Sequence, residues 1–471
     1  MQAKIFFGSS EAVSETFSER ISPFSGKVVS SAPVCNADDA LKALKIAQDA
    51  TPRAKASTLA QRCSWLLDVA KKLRENKEDI AKTLTDEVGK PIAFSRVEVE
   101  RCIETVTLSA ETMRTMHGET INTDAMASGK KTTAFFTREP AGVIVAITPF
   151  NFPLNLVAHK LAPALVAGNT VVLKPTPEAP LTAYKFARLF IDSEYAIKDA
   201  LSVVYGDAEV GSALITSDIP RVISFTGSVP VGNIITKSAG IKKVSLELGG
   251  NAATYISATA DLDLAANRCA LGAFVNSGQV CISLQRIYVN ADIYDEFAVK
   301  MAEETKKLVV GSPYEDDTFM GPLIDDDAAT RAMSWVESAI EEGAVPLLPP
   351  HREGRMFHPC VMANVRDDMT IVCEEVFAPI VSLVKVDNFD DALPRMNNSP
   401  YGLQFSVFTN DLSLMQRAIS ELDAGGIVIN DMPTLRFDIQ PYGGVKLSGV
   451  GREGPKFAIE EMSEIKSVVI C

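Results

Sequence analysis

The sequence is short of histidine, of closely spaced cysteine pairs and of long apolar runs, and each shortage removes a class of function. Only four histidines, His117, His159, His351 and His358, stand among 471 residues, with no HExxH and no Cys/His spacing suited to zinc. A structural or catalytic metal is therefore not expected. The eight cysteines, Cys35, Cys63, Cys102, Cys269, Cys281, Cys360, Cys373 and Cys471, form no CxxC pair. Scattered along so long a chain they fit reduced thiols in a cytoplasm rather than a disulfide framework. The apolar stretch from Ala141 is cut by Thr148, Pro149 and Asn151, and the N-terminal MQAKIFFGSSEAV has only a very short apolar run. Both fall short of the ~20 apolar residues a membrane helix needs, and neither export nor insertion is expected. No long basic run exists and the net charge is −14, which excludes a general binder of nucleic-acid backbones.

What is present describes a globular enzyme: 46% apolar and 23% charged residues, in a chain too long for one hydrophobic core. Apolar residues at helical spacing run from about 58 to 88, and a second periodic segment covers 96–116. Beyond Ala141 the pattern changes to short β-rich runs, AGVIVAI, NTVVLKP, LSVVYG, RVISFTG and KVSLELGG, separated by helical intervals at 156–167, 181–193, 208–217 and 230–239. Intervals of that length suit the crossovers of a parallel sheet, so the reading is a doubly wound α/β unit whose ligand crevice lies beyond the carboxyl ends of the strands. A second α/β region follows, with RIYVN, IVSLVKV, FSVFT and GGIVIN as strands and 292–308 and 412–422 as helices. KKTTAFFTREP and the terminal KSVVI are isolated β runs of a kind that pairs with another chain or domain.

The GxGxxG that often follows the first strand of such a sheet is absent, and TPFNFP stands there instead. FTGSVPVG, with Gly227 and Gly232 around a strand-to-helix turn, offers backbone N–H groups to a pyrophosphate. Cys281 lies in NSGQVCISLQR, between a glycine turn and an apolar run. A cysteine in that setting is ordinarily an inert small hydrophobe.

The order of motifs decides otherwise: TPFNFP, KPTPEAP, FTGSVPVG, ELGG, GQVC, EEVFAP and PYGGVKLSGVGREG succeed one another along nearly the whole chain. In this the chain resembles the aldehyde dehydrogenase superfamily. The resemblance implies a cofactor-binding domain of residues 1–117 and 141–250, a catalytic domain of 251–446, and a small β oligomerisation arm with the C-terminal tail, 118–140 and 447–471. It implies Cys281 as the nucleophile attacking an aldehyde carbon, the Asn151 side-chain amide and the Cys281 N–H as oxyanion donors, and Glu247 as the base that activates water on a thioester. For NAD or NADP it implies contacts from Ile147, Thr148, Pro149, Phe150, Lys174, Gly206, Gly211, Phe225, Thr226, Gly227, Ser228, Val231, Leu248, Gly249, Glu375 and Phe377. Three residues after Lys174, where many NAD-preferring members carry a glutamate, stands Pro177, with Glu178 one place later. The choice of nucleotide is open on these residues.

For substrate the candidates are His159, Arg436, Arg101 and Arg286, which could bind a hydroxyl, carboxylate or phosphate. VCISLQRIYV and MPTLRFDIQPYGGVK look most like the lactaldehyde-type and phosphonoacetaldehyde-type branches. The expectation is oxidation of a small polar aldehyde to its carboxylate by a cytoplasmic homodimer or homotetramer. A coenzyme-A-acylating dehydrogenase, a cofactor-free cysteine esterase and a non-catalytic binding protein are the rival readings.

Overall fold

A computed structural model describes residues 2–471. Five parallel strands form the centre of an eight-stranded sheet, in the spatial order Leu201–Val203, Thr170–Lys174, Val143–Ile147, Val222–Thr226 and Lys243–Glu247. The chain order reverses on either side of Val143–Ile147, which makes its carboxyl end the topological switch point where a crevice opens. These strands are buried on both faces, which explains why they read as continuous apolar runs rather than alternating ones. The crossovers are Asn155–Val166, Pro180–Ile191, Ala208–Thr216 and Val229–Ser238.

A second, seven-stranded sheet runs Val345–Pro346, Cys360–Ala363, Ile380–Val386, Leu284–Asn290, Ala252–Ile256, Gln404–Phe408 and Gly426–Ile429, all parallel except the first pair. Cys281 lies in the segment between two neighbouring strands of this second sheet, Ala252–Ile256 and Leu284–Asn290. Ser463–Ile470 pairs antiparallel with Thr133–Pro140, which also holds Glu119–Thr120. The two isolated β runs thus pair with each other. Within 447–471, Gly449–Val450 instead adds an antiparallel edge to the eight-stranded sheet, so only its last strand belongs to the arm. The periodic stretch 58–88 is two helices, Leu59–Glu75 and Lys77–Val88, because Asn76 turns its side chain onto the Lys72 carbonyl at 2.8 Å and stops the first.

The N-terminal helices dock by completing the ends of the crossover helices. Neither Asn155–Val166 nor Pro180–Ile191 has a side-chain cap of its own, and unpaired N–H groups at a buried helix start are costly. Glu98, on helix Ile92–Thr115, accepts from the N–H groups of Leu154 at 2.9 Å and Asn155 at 3.2 Å. Glu87, on Lys77–Val88, accepts from those of Leu181 at 2.8 Å and Thr182 at 2.9 Å. A carboxylate is also favoured there by the helix dipole. Glu98 has a further partner in the buried ammonium of Lys90.

Glu98→Ala would leave Lys90 buried without its counter-ion and two helix N–H groups open, a loss of about 3–5 kcal/mol. We expect a lowered midpoint in urea unfolding, with Glu98→Gln, which keeps an acceptor, losing less.

Candidate active site

Cys281 is placed by an unusual turn. Asn276, Ser277 and Gly278 all take left-handed backbone conformations, with φ of 52°, 56° and 70°. For the two non-glycine residues this is strained. Surrounding bonds hold it: Ser277 Oγ donates to the Gly321 carbonyl at 2.8 Å, and the Gln279 side chain bridges the Asn276 carbonyl at 3.2 Å and the Ile324 N–H at 3.0 Å. At Gly278 a Cβ would stand 2.3 Å from the Ala378 carbonyl oxygen, so the position admits only glycine. The turn delivers Cys281 into a cavity of about 520 Å³ between the two sheets.

Asn151, beyond the switch-point strand, faces it. Its Nδ2 donates to the Gln279 carbonyl at 3.0 Å, and Asn276 Nδ2 donates to the Asn151 carbonyl at 3.3 Å. Lys90 Nζ adds a 2.7 Å bond to that same carbonyl. A primary amide has two N–H donors; one is fixed on Gln279, which orients the other. Among the described residues no hydrogen bond occupies the Cys281 N–H.

Glu247 ends the last parallel strand with its carboxyl in the same cavity, 3% exposed, and neither carboxylate oxygen has a hydrogen-bond partner. Burial raises its pKa well above the usual carboxylate range and the nearby Glu453 adds to this, against the pull of Arg436, Lys160 and Arg452. Burial would raise Glu453 too, but Lys160, at 3.0 Å, His159 and Arg436 hold it at about 2. The pKa values of two neighbouring carboxyls are thus driven in opposite directions, up at Glu247 and down at Glu453. Burial pushes the Cys281 thiol up to about 12, with the hydrogen bond between its sulfur and the Tyr442 hydroxyl opposing it.

The remaining lining splits into two ends. Toward the sheet exits lie Pro149, Phe150, Thr226, Gly227, Ser228, Leu248, Gly249, Glu375 and Phe377. Ser228 begins helix Val229–Ser238 without a side-chain cap bond, and the Thr226 hydroxyl is buried and unpartnered. A dinucleotide fits these residues: open N–H groups at a helix start suit a pyrophosphate, and Glu375, held by the Gly250 N–H at 2.9 Å, offers a carboxylate for a ribose. Phe377, at φ 50°, sets its ring edge-on to Phe150 at 6.0 Å. Ile147, Thr148, Lys174, Gly206, Gly211, Phe225 and Val231 do not line the cavity. Ile147, Thr148, Lys174, Gly206 and Phe225 sit at or near the carboxyl ends of strands, and Gly211 and Val231 lie in the first turns of helices Ala208–Thr216 and Val229–Ser238; a Cβ built on Gly211 would lie 3.9 Å from Lys174 Cε.

At the other end, Arg101 and Arg436 line the cavity as expected. Arg101 grips Asp438 with Nε at 2.9 Å and Nη2 at 2.7 Å. Two substrate expectations need correction. Arg286 is 2% exposed and spends its guanidinium on the carbonyls of Asn251, Arg395 and Met396, because its strand lies inside the second sheet and points it away from the cavity. His159 is buried behind the wall, 2.9 Å from Asp438 Oδ1, and burial lowers its pKa, so it orients Asp438 rather than touching a ligand. Asp438, Glu453, Tyr442 and the Lys90–Glu98 pair went unread in the sequence. Tyr442 and Glu453 at least lie within the motif PYGGVKLSGVGREG.

A doubly wound sheet whose strand exits open onto an uncapped helix start, beside a second α/β sheet and a cavity that holds a thiol, fits one class: a cysteine-centred, nucleotide-dependent enzyme. The aldehyde dehydrogenase family profile matches residues 9–468, and the chain belongs to that family. It is 44% identical over 438 residues, 93% of this chain and 91% of the relative, to a 3-sulfolactaldehyde dehydrogenase of Priestia megaterium. To a lactaldehyde dehydrogenase of Methanococcus aeolicus it is 38% identical over 453 residues, 95% of this chain and 96% of that one. An NADP-dependent glyceraldehyde-3-phosphate dehydrogenase from Bacillus halodurans C-125, complexed with NADP, superposes with a TM-score of 0.98 at 32% identity, covering 100% of this chain and 99% of that one. The chain is an aldehyde dehydrogenase using NAD or NADP.

The raised Glu247 has a consequence for stability. Folding favours its protonated form, so its contribution is complete below the unfolded-chain value of about 4.3 and is lost as pH rises through the folded value. Glu247→Gln escapes that loss. We expect a higher Tm than the parent above neutrality, the gap closing toward acid pH in a thermal unfolding series.

Proposed function

We propose that the chain oxidises a small hydroxylated or anionic aldehyde, of the lactaldehyde or sulfolactaldehyde kind, to its carboxylate through a thioester on Cys281. The observation that carries the reading is the convergence of Cys281, Asn151 and Glu247 on one cavity. The Cys281 thiolate adds to the aldehyde carbon, a C–S bond forms, and the carbonyl electron pair moves onto oxygen. That oxyanion accepts from the free Asn151 amide N–H and the Cys281 N–H, each such donor worth about 3 kcal/mol to the transition state. NAD or NADP, when bound, supplies the hydride acceptor. Glu247 then takes a proton from water, hydroxide adds to the thioester, and collapse releases the carboxylate and the thiolate. An unbonded, buried carboxyl with a raised pKa suits a base operating near neutrality. Its presence favours hydrolysis over acyl transfer to coenzyme A.

Arg101 is the group best placed to select an anionic substrate. Its side chain is 28% exposed, and Asp438 occupies only Nε and Nη2. Nη1 is left for a carboxylate or sulfonate. The relatives named for sulfolactaldehyde and lactaldehyde support a short substrate carrying an anion or a hydroxyl. The arm exposes Ile465, Val469 and Ile470 on its outer strand, apolar groups that a second subunit of a homodimer or homotetramer would cover. Eight free cysteines fit a reducing cytoplasm.

Two measurements test the reading. A panel of lactaldehyde, sulfolactaldehyde, glycolaldehyde and succinate semialdehyde, assayed by nicotinamide absorbance with each nucleotide, should yield turnover; Glu247→Gln should then give one hydride burst per site and stall as a thioester. Steady turnover by that variant without coenzyme A would contradict Glu247 as the base. Arg101→Ala should raise KM for the anionic aldehydes about tenfold more than for lactaldehyde, since a hydrogen bond to a charged group is worth about 1.5–3 kcal/mol. An equal rise for both would show that Arg101 serves only to hold Asp438.

A further inference from the structure

We propose that Tyr442 is a catalytic residue that donates its phenol hydrogen to the Cys281 thiolate. Its hydroxyl lies 3.1 Å from Sγ, and among the described residues sulfur is the only partner that hydroxyl has. The phenol is 5% exposed, inside an apolar cluster with Val280, Ile282 and Leu403. A hydrogen bond in such dry surroundings is stronger than in water, and an ionised acceptor strengthens it further.

The position of Tyr442 is fixed from three directions. Its backbone exchanges both hydrogen bonds with Glu453, at 3.1 Å and 2.7 Å. The Arg436 guanidinium stacks on its ring, 3.7 Å from the centroid. Arg436 is in turn held by Glu453 Oε2 at 3.2 Å, while Lys160 holds Oε1 of the same carboxylate at 3.0 Å. A cation over the ring draws electron density from it and makes the hydroxyl a better donor.

The thiol needs such a donor. The other titratable groups facing it are Glu247 and Glu375, which disfavour a second negative charge if ionised, and Arg436, which favours it. No histidine reaches Sγ, so the usual cationic partner of a reactive cysteine is missing. The phenol keeps its proton throughout: it donates to sulfur while sulfur is anionic, and when the C–S bond forms the negative charge passes to the former carbonyl oxygen. Tyr442 therefore acts before and during addition, not in hydrolysis of the thioester.

The inference rests on Cys281 as nucleophile, and the test separates the two. Cys281 alkylation by iodoacetamide is followed across pH by mass spectrometry of its peptide, in the parent, Tyr442→Phe and Cys281→Ala, together with the hydride burst. We expect Tyr442→Phe to shift the alkylation midpoint up by about one pH unit and to slow both alkylation and the burst about tenfold near neutrality, nucleotide binding being unchanged. Parent-like alkylation and burst in Tyr442→Phe would overturn the proposal while leaving the nucleophile intact. Retained oxidation by Cys281→Ala would overturn both. Should Tyr442→Phe fail to fold, Tyr442→3-fluorotyrosine keeps the hydroxyl and makes it more acidic; a lowered midpoint supports the proposal and an unmoved one overturns it.

Discussion

The site depends on a pair of hydrogen bonds that cross between the two sheets: Asn151 Nδ2 to the Gln279 carbonyl at 3.0 Å, and Asn276 Nδ2 back to the Asn151 carbonyl at 3.3 Å. One amide comes from the loop beyond the switch-point strand, the other from the left-handed turn ahead of Cys281. Each fixes the other. The strained residues at Asn276 and Ser277 cost about 1–3 kcal/mol apiece, and such a turn persists only where its environment leaves it no alternative. Here the Gly321 and Ile324 contacts, the glycine at 278 and the exchange with Asn151 supply that environment. The turn leads into Cys281, which lines the same cavity as Asn151.

Carboxylates show how one side chain serves opposite ends according to its partners. Glu87 and Glu98 are buried, yet each receives two backbone N–H groups at the start of a crossover helix, and both bind the N-terminal helical layer to the sheet. Glu453 is buried among cations and is ionised. Glu247 is buried with no hydrogen bond to either oxygen, which is the costliest arrangement and the one least useful to the fold. A group left in that condition has its protonation poised by its surroundings, and proton transfer is what such a group can do.

Much of the architecture could be read directly. Val143–Ile147, Thr170–Lys174, Val222–Thr226 and Lys243–Glu247 were visible because strands buried on both faces appear as apolar runs, and the crossovers because their lengths fit nothing else. Ala252–Ile256 escaped, although it lies inside the second sheet. It follows ELGG after one residue, Asn251, and opens on two alanines, which weakens the β-branched enrichment that marks a strand. Gly449–Val450 is too short for any periodicity, and the break at Asn76 depends on one side chain choosing its own backbone. At the site, Cys281, Asn151 and Glu247 stood out through their motifs, as did Arg101 and Arg436 through their charge. Arg286 carried the same charge signal and misled, because an arginine inside a sheet can be satisfied by carbonyls as fully as by a ligand.

Sequence alone determined the class of fold, the family and the order of the motifs, since these follow from local pattern and residue type. Tertiary structure decided what each group can do. That Tyr442 touches the Cys281 sulfur, that His159 stands behind Asp438, and that the pKa of Glu247 is raised while that of Glu453 is lowered are outcomes of proximity between residues up to 279 positions apart. Desolvation and through-space charge set protonation and reactivity, and both are properties of the assembled neighbourhood rather than of any stretch of chain.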